Sequence, residues 1–203
     1  MKKIICFIAF SIIGHLTVNA QNLSLSQADK EEFKNRAIDL INYFKEGLEI
    51  IPTYEEEFVK DKAIRNTLGS FTSNAKVELA YANGHIKSQS ISNYLYSLKS
   101  YSKKDQLVNI DILDFTIEDL KSHPTELGKY IIEFEFVQRF SKKKEISDFV
   151  PKTDKLEEIE WDYVDITTKR GYGILEKITT DDGTKWILLL HDIEVKSIEV
   201  LKN

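Results

Sequence analysis

The stretch KYIIEFEFVQRF, residues 129–140, constrains the fold more than any other. Tyr130, Ile132, Phe134, Phe136 and Phe140 fall on one face of an extended chain, and Ile131, Glu133, Glu135, Val137 and Arg139 on the other. A period of two excludes a helix and describes a strand with one face in a core and the other toward solvent. A face of four aromatic rings and an isoleucine needs a covering layer. The question set by the sequence is what supplies it.

More strands follow and precede this one. Leu107–Ile117 is β-rich, a turn region around Ser122-His123-Pro124 leads into the 129–140 strand, and Trp161–Ile178 and Lys185–Val200 add two long strands. The last two are joined through Thr180-Asp181-Asp182-Gly183-Thr184, in which Asp-Gly is a hairpin signature. Trp186-Ile187-Leu188-Leu189-Leu190 is apolar on both faces and is expected to be a central strand covered on both sides. Residues 141–160, SKKKEISDFVPKTDKLEEIE, are charged and poor in large apolar groups, and read as a long mobile connection between strands.

The cover comes from the N-terminal half. In Ser26–Glu46 and just beyond, Phe33, Ala37, Leu40, Ile41, Phe44 and Leu48 recur at the three-to-four spacing of a buried helical stripe, with Gly47 and Pro52 marking its end. Thr53-Tyr54-Glu55-Glu56 matches a capping box and predicts a second helix from Tyr54 to Leu68, stopped by Gly69. KVELAYANGHIK, residues 76–87, alternates and then turns at Asn83-Gly84, the signature of a hairpin with a type I′ turn. His85, just past that turn, reads as a surface residue. Ser90 is placed to cap a short helix carrying Ile91, Tyr94, Leu95, Leu98 and Tyr101 on one face.

Two helices, a hairpin, a short helix and then long antiparallel strands describe an α+β chain with N-terminal helices packed on a curved, mostly antiparallel sheet. With KVELAYANGHIK as the hairpin, SISNYLYSLKSY as the helix behind it and strands around Ile112, Phe134, Ile174 and Leu188, this order resembles the NTF2-like superfamily. That superfamily is the cone shared by ketosteroid isomerase and SnoaL-like proteins, with a single-helix cystatin-like arrangement as its neighbour. The resemblance covers most of residues 27–200 and implies a pocket between helices and sheet. Some members of that family catalyse and many only bind, so the fold does not choose a function. The family also implies a homodimer formed through the sheet.

The N-terminus reads as an export signal. Lys2 and Lys3 precede the apolar run Ile4–Ile13, and Val18-Asn19-Ala20 offers a cleavage site, so residues 1–20 are expected to be removed after Ala20. The run is shorter than the roughly 20 residues a membrane span needs. A periplasmic or extracellular protein of residues 21–203, forming one domain, is the result expected. It holds no cysteine, since Cys6 leaves with the signal, and therefore no disulfide or thiolate chemistry. Without Lys2 and Lys3, 26 basic residues face 33 acidic ones, a net charge of −7. No basic face survives to displace counterions from nucleic acid.

Chemistry is sparse. The histidines at 85, 123 and 191 are far apart and form no two-histidine metal motif, DDGT lacks the alternating oxygen ligands of a calcium loop, and no G-x-S-x-G is present. No metal and no cofactor are expected. Lys169-Arg170-Gly171-Tyr172-Gly173 has a superficial likeness to an anion site, but its glycines are better read as a bend. For polar groups in an apolar pocket, the candidates are Tyr81, Tyr94, Asp111, Glu133 and His191, with Phe134 as lining. Asp111 alternates with Leu107, Leu113 and Phe115 and is the leading buried carboxylate; its other reading is a charge protecting an edge strand. His191 shares a face with Ile187, Leu189 and Ile193 and reads first as a core or rim residue. Glu133 reads as solvent-facing, and the tyrosines as core and pocket lining. The reading that follows is an exported, non-enzymatic domain binding a small apolar ligand or another protein. Two alternatives stand beside it: a cofactor-independent lyase or isomerase using Asp111 or His191, and a structural subunit of an envelope assembly.

Overall fold

The computed structural model describes residues 25–54, 56–81, 83–101, 107–143, 161–181 and 183–202. The elements run α1 Gln27–Thr53, α2 Glu57–Gly69, β1 Lys76–Ala80, β2 Ile86–Ser90, α3 Ile91–Lys99, β3 Leu107–Ile117, β4 Lys121–Ser122, β5 Tyr130–Lys143, β6 Tyr163–Thr180 and β7 Gly183–Lys202. The fold is α+β, with the helices packed on one face of a single curved sheet. Its strand order is β2-β1-β7-β6-β5-β3, with β4 added to β5. Every pairing is antiparallel except β1 with β7. Element order and layering are those of the cone the sequence resembles. The expected signal peptide, residues 1–20, lies outside the described residues.

Local chemistry explains the helix starts. Ser26 caps α1 through a reciprocal box: its hydroxyl accepts from the Asp29 amide at 3.1 Å, and the Asp29 carboxylate accepts from the Ser26 amide at 3.0 Å. Ser90 caps α3 by accepting from the Asn93 amide at 3.2 Å, as its sequence predicts. The box expected at Thr53–Glu56 does not form. Thr53 is the last residue of α1, its hydroxyl donating back to the Glu49 carbonyl, and α2 starts at Glu57 behind Glu56, whose side chain makes no cap hydrogen bond. Nor does α1 stop at Gly47. A Cβ on Gly47 would stand 2.1 Å from Thr67 Oγ1, so this glycine lets α2 cross α1 closely. Pro52, in the last turn, sits buried beside Ile51, and packing holds the turn although proline gives no amide to it.

The first hairpin is longer than the type I′ expectation. Gly84 donates to the Tyr81 carbonyl at 2.8 Å and Tyr81 to the His85 carbonyl at 2.9 Å, with Gly84 at φ 78°. This pattern is the three-residue loop whose glycine takes the left-handed position. The Asn83 side chain accepts from the His85 amide at 3.0 Å, which holds the turn from within. In the second hairpin Thr180 pairs Gly183 directly, so β6 and β7 meet at the turn.

Two further expectations need correction. Residues 141–143 belong to β5, and the remainder of the charged connection lies outside the described residues. The 186–190 run has β6 on one side but only a single bridge, Leu190 to Phe71, on the other. Leu188 and Leu190 are buried on the face the helices cover, Trp186 on the same face is half-buried against Phe33 of α1, and Ile187 and Leu189 are half-buried on the uncovered face.

The concave face holds the core. Ile41, Phe44, Leu48 and Ile51 of α1, Ile64 of α2 and Leu95 of α3 pack on Ile110, Phe134, Phe136, Leu190 and Ile193 of the sheet. A second cluster, with Phe33, Ala37, Ile132, Leu175 and Leu188, closes the end beside the start of α1. Leu107, Trp161 and Val164 form a small third cluster. The sequence's aromatic face is thus covered by α1, and Phe44 meets Phe71 and Phe136 edge-on, with centroids 5.3 Å and 6.2 Å away.

Candidate functional site

On the concave face, β5 and β6 run side by side with inward residues in register. Ile132 lies opposite Gly173, Phe134 opposite Gly171, Phe136 opposite Lys169, Gln138 opposite Thr167 and Phe140 opposite Asp165. Along this double row the chemistry changes abruptly. At Gly171 an added Cβ would lie 2.2 Å from Phe134, so the phenyl ring rests directly on the strand backbone. That end is apolar and filled. Beyond Phe136 the inward residues become Lys169, Thr167, Gln138 and Asp165, all buried.

Lys169 is 3 % exposed. Its ammonium donates to the Glu78 backbone carbonyl at 3.1 Å and lies 6.0 Å from the centre of the Tyr94 ring. Among the described residues no carboxylate is within ion-pair distance of it. The Glu78 carboxylate accepts from the Val195 amide at 2.8 Å instead. β1 and β7 pair at Val77 and Ile193, and one residue later the Glu78 side chain takes over a strand amide. The register between β6 and β7 shifts at Thr168/Lys169 and again at Gly171/Gly173. Such bulges bend a strand and re-aim its side chains. Burial pushes the Lys169 amine down to about 8, opposed by the negative charges of Asp165 and Glu78.

The neighbours of Lys169 are equally displaced from their aqueous behaviour. Burial raises the Asp165 carboxyl, while hydrogen bonds from Tyr163 and Thr167 and the charge of Lys169 oppose that rise. The Thr167 hydroxyl donates to Asp165 at 3.1 Å. Tyr163 is pushed up to about 12, first by burial and then by its bond to Asp165. Tyr94, on α3, is raised by burial and hydrogen-bonded to Gln138. That bond engages one end of the Gln138 amide and leaves Oε1 buried without a partner. Arg139 Nε and Ser141 Oγ, the next such atoms, lie at the same end of β5.

Of the residues singled out in the sequence, Tyr94 and Phe134 lie on this double row or against it. The others do not. Tyr81 is at the hairpin tip, 43 % exposed, its ring stacked on His85 at 6.1 Å. Asp111 is on edge strand β3, across from Arg139, and accepts from the Asn109 amide group at 2.6 Å. Ile110 and Ile112 take the inward positions on either side of it. His191 is half-buried on β7, where Nδ1 is 2.7 Å from the Thr72 hydroxyl and Nε2 is 3.9 Å from Asp192. Glu133 faces Arg170 at 3.9 Å on the outer face. His123 is in the turn before β5, its Nδ1 accepting from the Glu126 amide at 3.1 Å. Among the described residues no cluster of histidine, aspartate and glutamate could hold a metal ion. No described helix is long and apolar enough to cross a membrane, which says nothing of membrane-crossing strands.

Sequence reasoning set Lys169 aside when it read residues 169–173 as a bend, and it missed Asp165, Thr167 and Gln138. One signal was present: two glycines at the same parity as Lys169, facing a phenylalanine-rich strand, mark the side onto which those rings must fold.

No family model matches the sequence, and neither does any curated protein. Among solved structures, the Kfla4162 protein from Kribbella flavida aligns at TM-score 0.43 and 10 % identity, over 83 % of this chain and 95 % of that one. The "Putative Scytalone Dehydratase" of Novosphingobium aromaticivorans aligns at TM-score 0.42 and 10 % identity, over 85 % and 90 % of the two chains. The intermembrane space region of chloroplast protein ARC6 aligns at TM-score 0.35 and 7 % identity, over 84 % and 97 %.

Proposed function

We propose that this protein is an exported, non-enzymatic binding domain that takes a small, largely apolar molecule on the concave side of its sheet. The polar end of that molecule meets Lys169, Gln138 and Tyr94. The observation that carries this reading is the unpartnered polar atom of Gln138, 6 % exposed and set beside a buried lysine. A core selected only for stability pairs its buried polar groups or replaces them, because each unpaired one costs roughly 1–3 kcal/mol. A ligand with a hydrogen-bonding head and an apolar body supplies the missing partner.

The test is a nitrogen–proton NMR titration of the Gln138 side-chain amide with straight-chain eight-carbon alcohol, amide and carboxylate. A saturable shift of that resonance, together with a rise in melting temperature that grows with ligand concentration, is the expected result. If all three compounds leave the amide in place while the fold stays intact, the reading is wrong. Export rests on residues 1–20 and is tested separately: mass spectrometry of the mature chain should find Gln21 at its start.

A further inference from the structure

The geometry points to Lys169 as an amine that captures the carbonyl group of an apolar aldehyde or ketone as an imine. This rests on the binding reading above and names the ligand class for it. Four features of the site converge on it. The amine sits on the concave face with one hydrogen bond, to a backbone carbonyl, and without a carboxylate partner among the described residues. An aromatic ring, Tyr94, stands beside it as apolar wall. Two inward positions further along β6, Thr167 and Asp165 present a hydroxyl and a buried carboxyl. The Gln138 amide supplies an unpaired polar atom opposite Thr167.

The groups that face Lys169 are few. Asp165 lies on its own strand, Glu78 on β1 and Tyr94 on α3. The inward residues across from it on β5 and β7 are Phe136 and Val195, which carry no charge. Desolvation therefore outweighs attraction, and a larger fraction of this amine is neutral at pH 7 than of any lysine at the ordinary value near 10.4.

The chemistry balances without any further reagent. A neutral Nζ adds its lone pair to the carbonyl carbon, and the carbonyl π pair moves to oxygen, which takes up a proton. Nitrogen then loses a proton, the hydroxyl takes one from Asp165, whose burial favours its protonated form, and it leaves as water while the nitrogen lone pair forms the C=N bond. The products are one imine and one water. The iminium nitrogen gives up its last proton to leave the imine, and that proton returns Asp165 to its starting form.

The experiment uses the mature protein, octanal as probe and cyanoborohydride to reduce any imine to a stable secondary amine. Octanal is kept below the protein concentration at pH 7, and peptide mass spectrometry reads the octyl adduct at each lysine. Lys169 should carry at least tenfold more adduct than exposed Lys62, Lys87 and Lys196, excess octanol should suppress it, and Asp165→Asn should slow it. Adduct spread over the exposed lysines, with Lys169 at or below their level, overturns the inference. The two readings separate cleanly. If octanol shifts the Gln138 amide but Lys169 gains no adduct, imine capture fails and binding stands. If octanol leaves that amide unmoved and Lys169 stays unlabelled, both fail. Lys169→Arg, which keeps the charge but forms no such amine adduct, should lose the label.

Discussion

The two halves of the concave face share the same strands and the same register, yet they solve opposite problems. Around Phe134 the sheet offers glycines as a floor, and rings fill the space down to the backbone. Phe134 and Phe136 stack at 6.1 Å, and Phe136 meets Phe44 of α1. Two residues further, the same strands bury a lysine, a threonine, a glutamine and an aspartate, with one amide atom unpaired. The first half holds the fold together. The second is maintained at a cost in stability, and a cost of that kind marks a site when it collects several displaced groups in one place.

Substitutions can sharpen that contrast. Phe134→Ala removes a fully buried ring and should lower unfolding free energy by about 4 kcal/mol in urea titration. A loss below about 1 kcal/mol would mean that the filled half is looser than its geometry. Gly171→Ala forces a methyl group into the Phe134 ring and should cost up to about 3 kcal/mol, while Gly84→Ser at the exposed turn should be far milder.

The polar half makes its prediction through pH. Lys169 binds its proton less tightly folded than unfolded, so the unfolded chain holds more protons between pH 8 and 10 and stability should rise with pH there. For a group moved from 10.5 to about 8 the rise is about 2 kcal/mol over that window. Lys169→Met should flatten it, read as the difference between the two proteins' urea midpoints at each pH. Tyr163 works in the reverse direction only above pH 10, since its folded value is the higher one. Asp165 is also raised when folded, so its contribution is fully present in acid and declines as pH climbs through that raised value. Asp165→Asn should remove this decline. The smallest effect belongs to Asp111→Asn, outside both halves, which should change stability by less than about 0.5 kcal/mol and leave octanol binding as it was.

Much of the fold was legible. Period-two alternation in residues 129–140, the helical stripe from Phe33 to Leu48 and the cap at Ser90 each act locally, and local propensity and tertiary packing agree there. The end of α1 was not legible, because Gly47 answers to Thr67, twenty residues away, and not to its own helix. The site was less legible still. Along β6 the even-numbered positions 164–174 carry Val164, Ile166, Tyr172 and Ile174 beside the polar Thr168 and Arg170, whereas the odd-numbered Asp165, Thr167, Lys169, Gly171 and Gly173 include no large apolar side chain. Alternation alone would bury the former and expose the latter.

What the sequence by itself determined is the kind of element at each place: where the chain winds, where it extends, and that one face of residues 129–140 must be covered. Tertiary structure decided which face of β6 turns inward. Residues directly opposite in an antiparallel pair share a face, so pairing Phe134 with Gly171 commits every odd-numbered residue from 165 to 175 to the concave side. Burying large rings against glycines outweighs the desolvation of one lysine and one aspartate, and that balance brought Lys169 into the core.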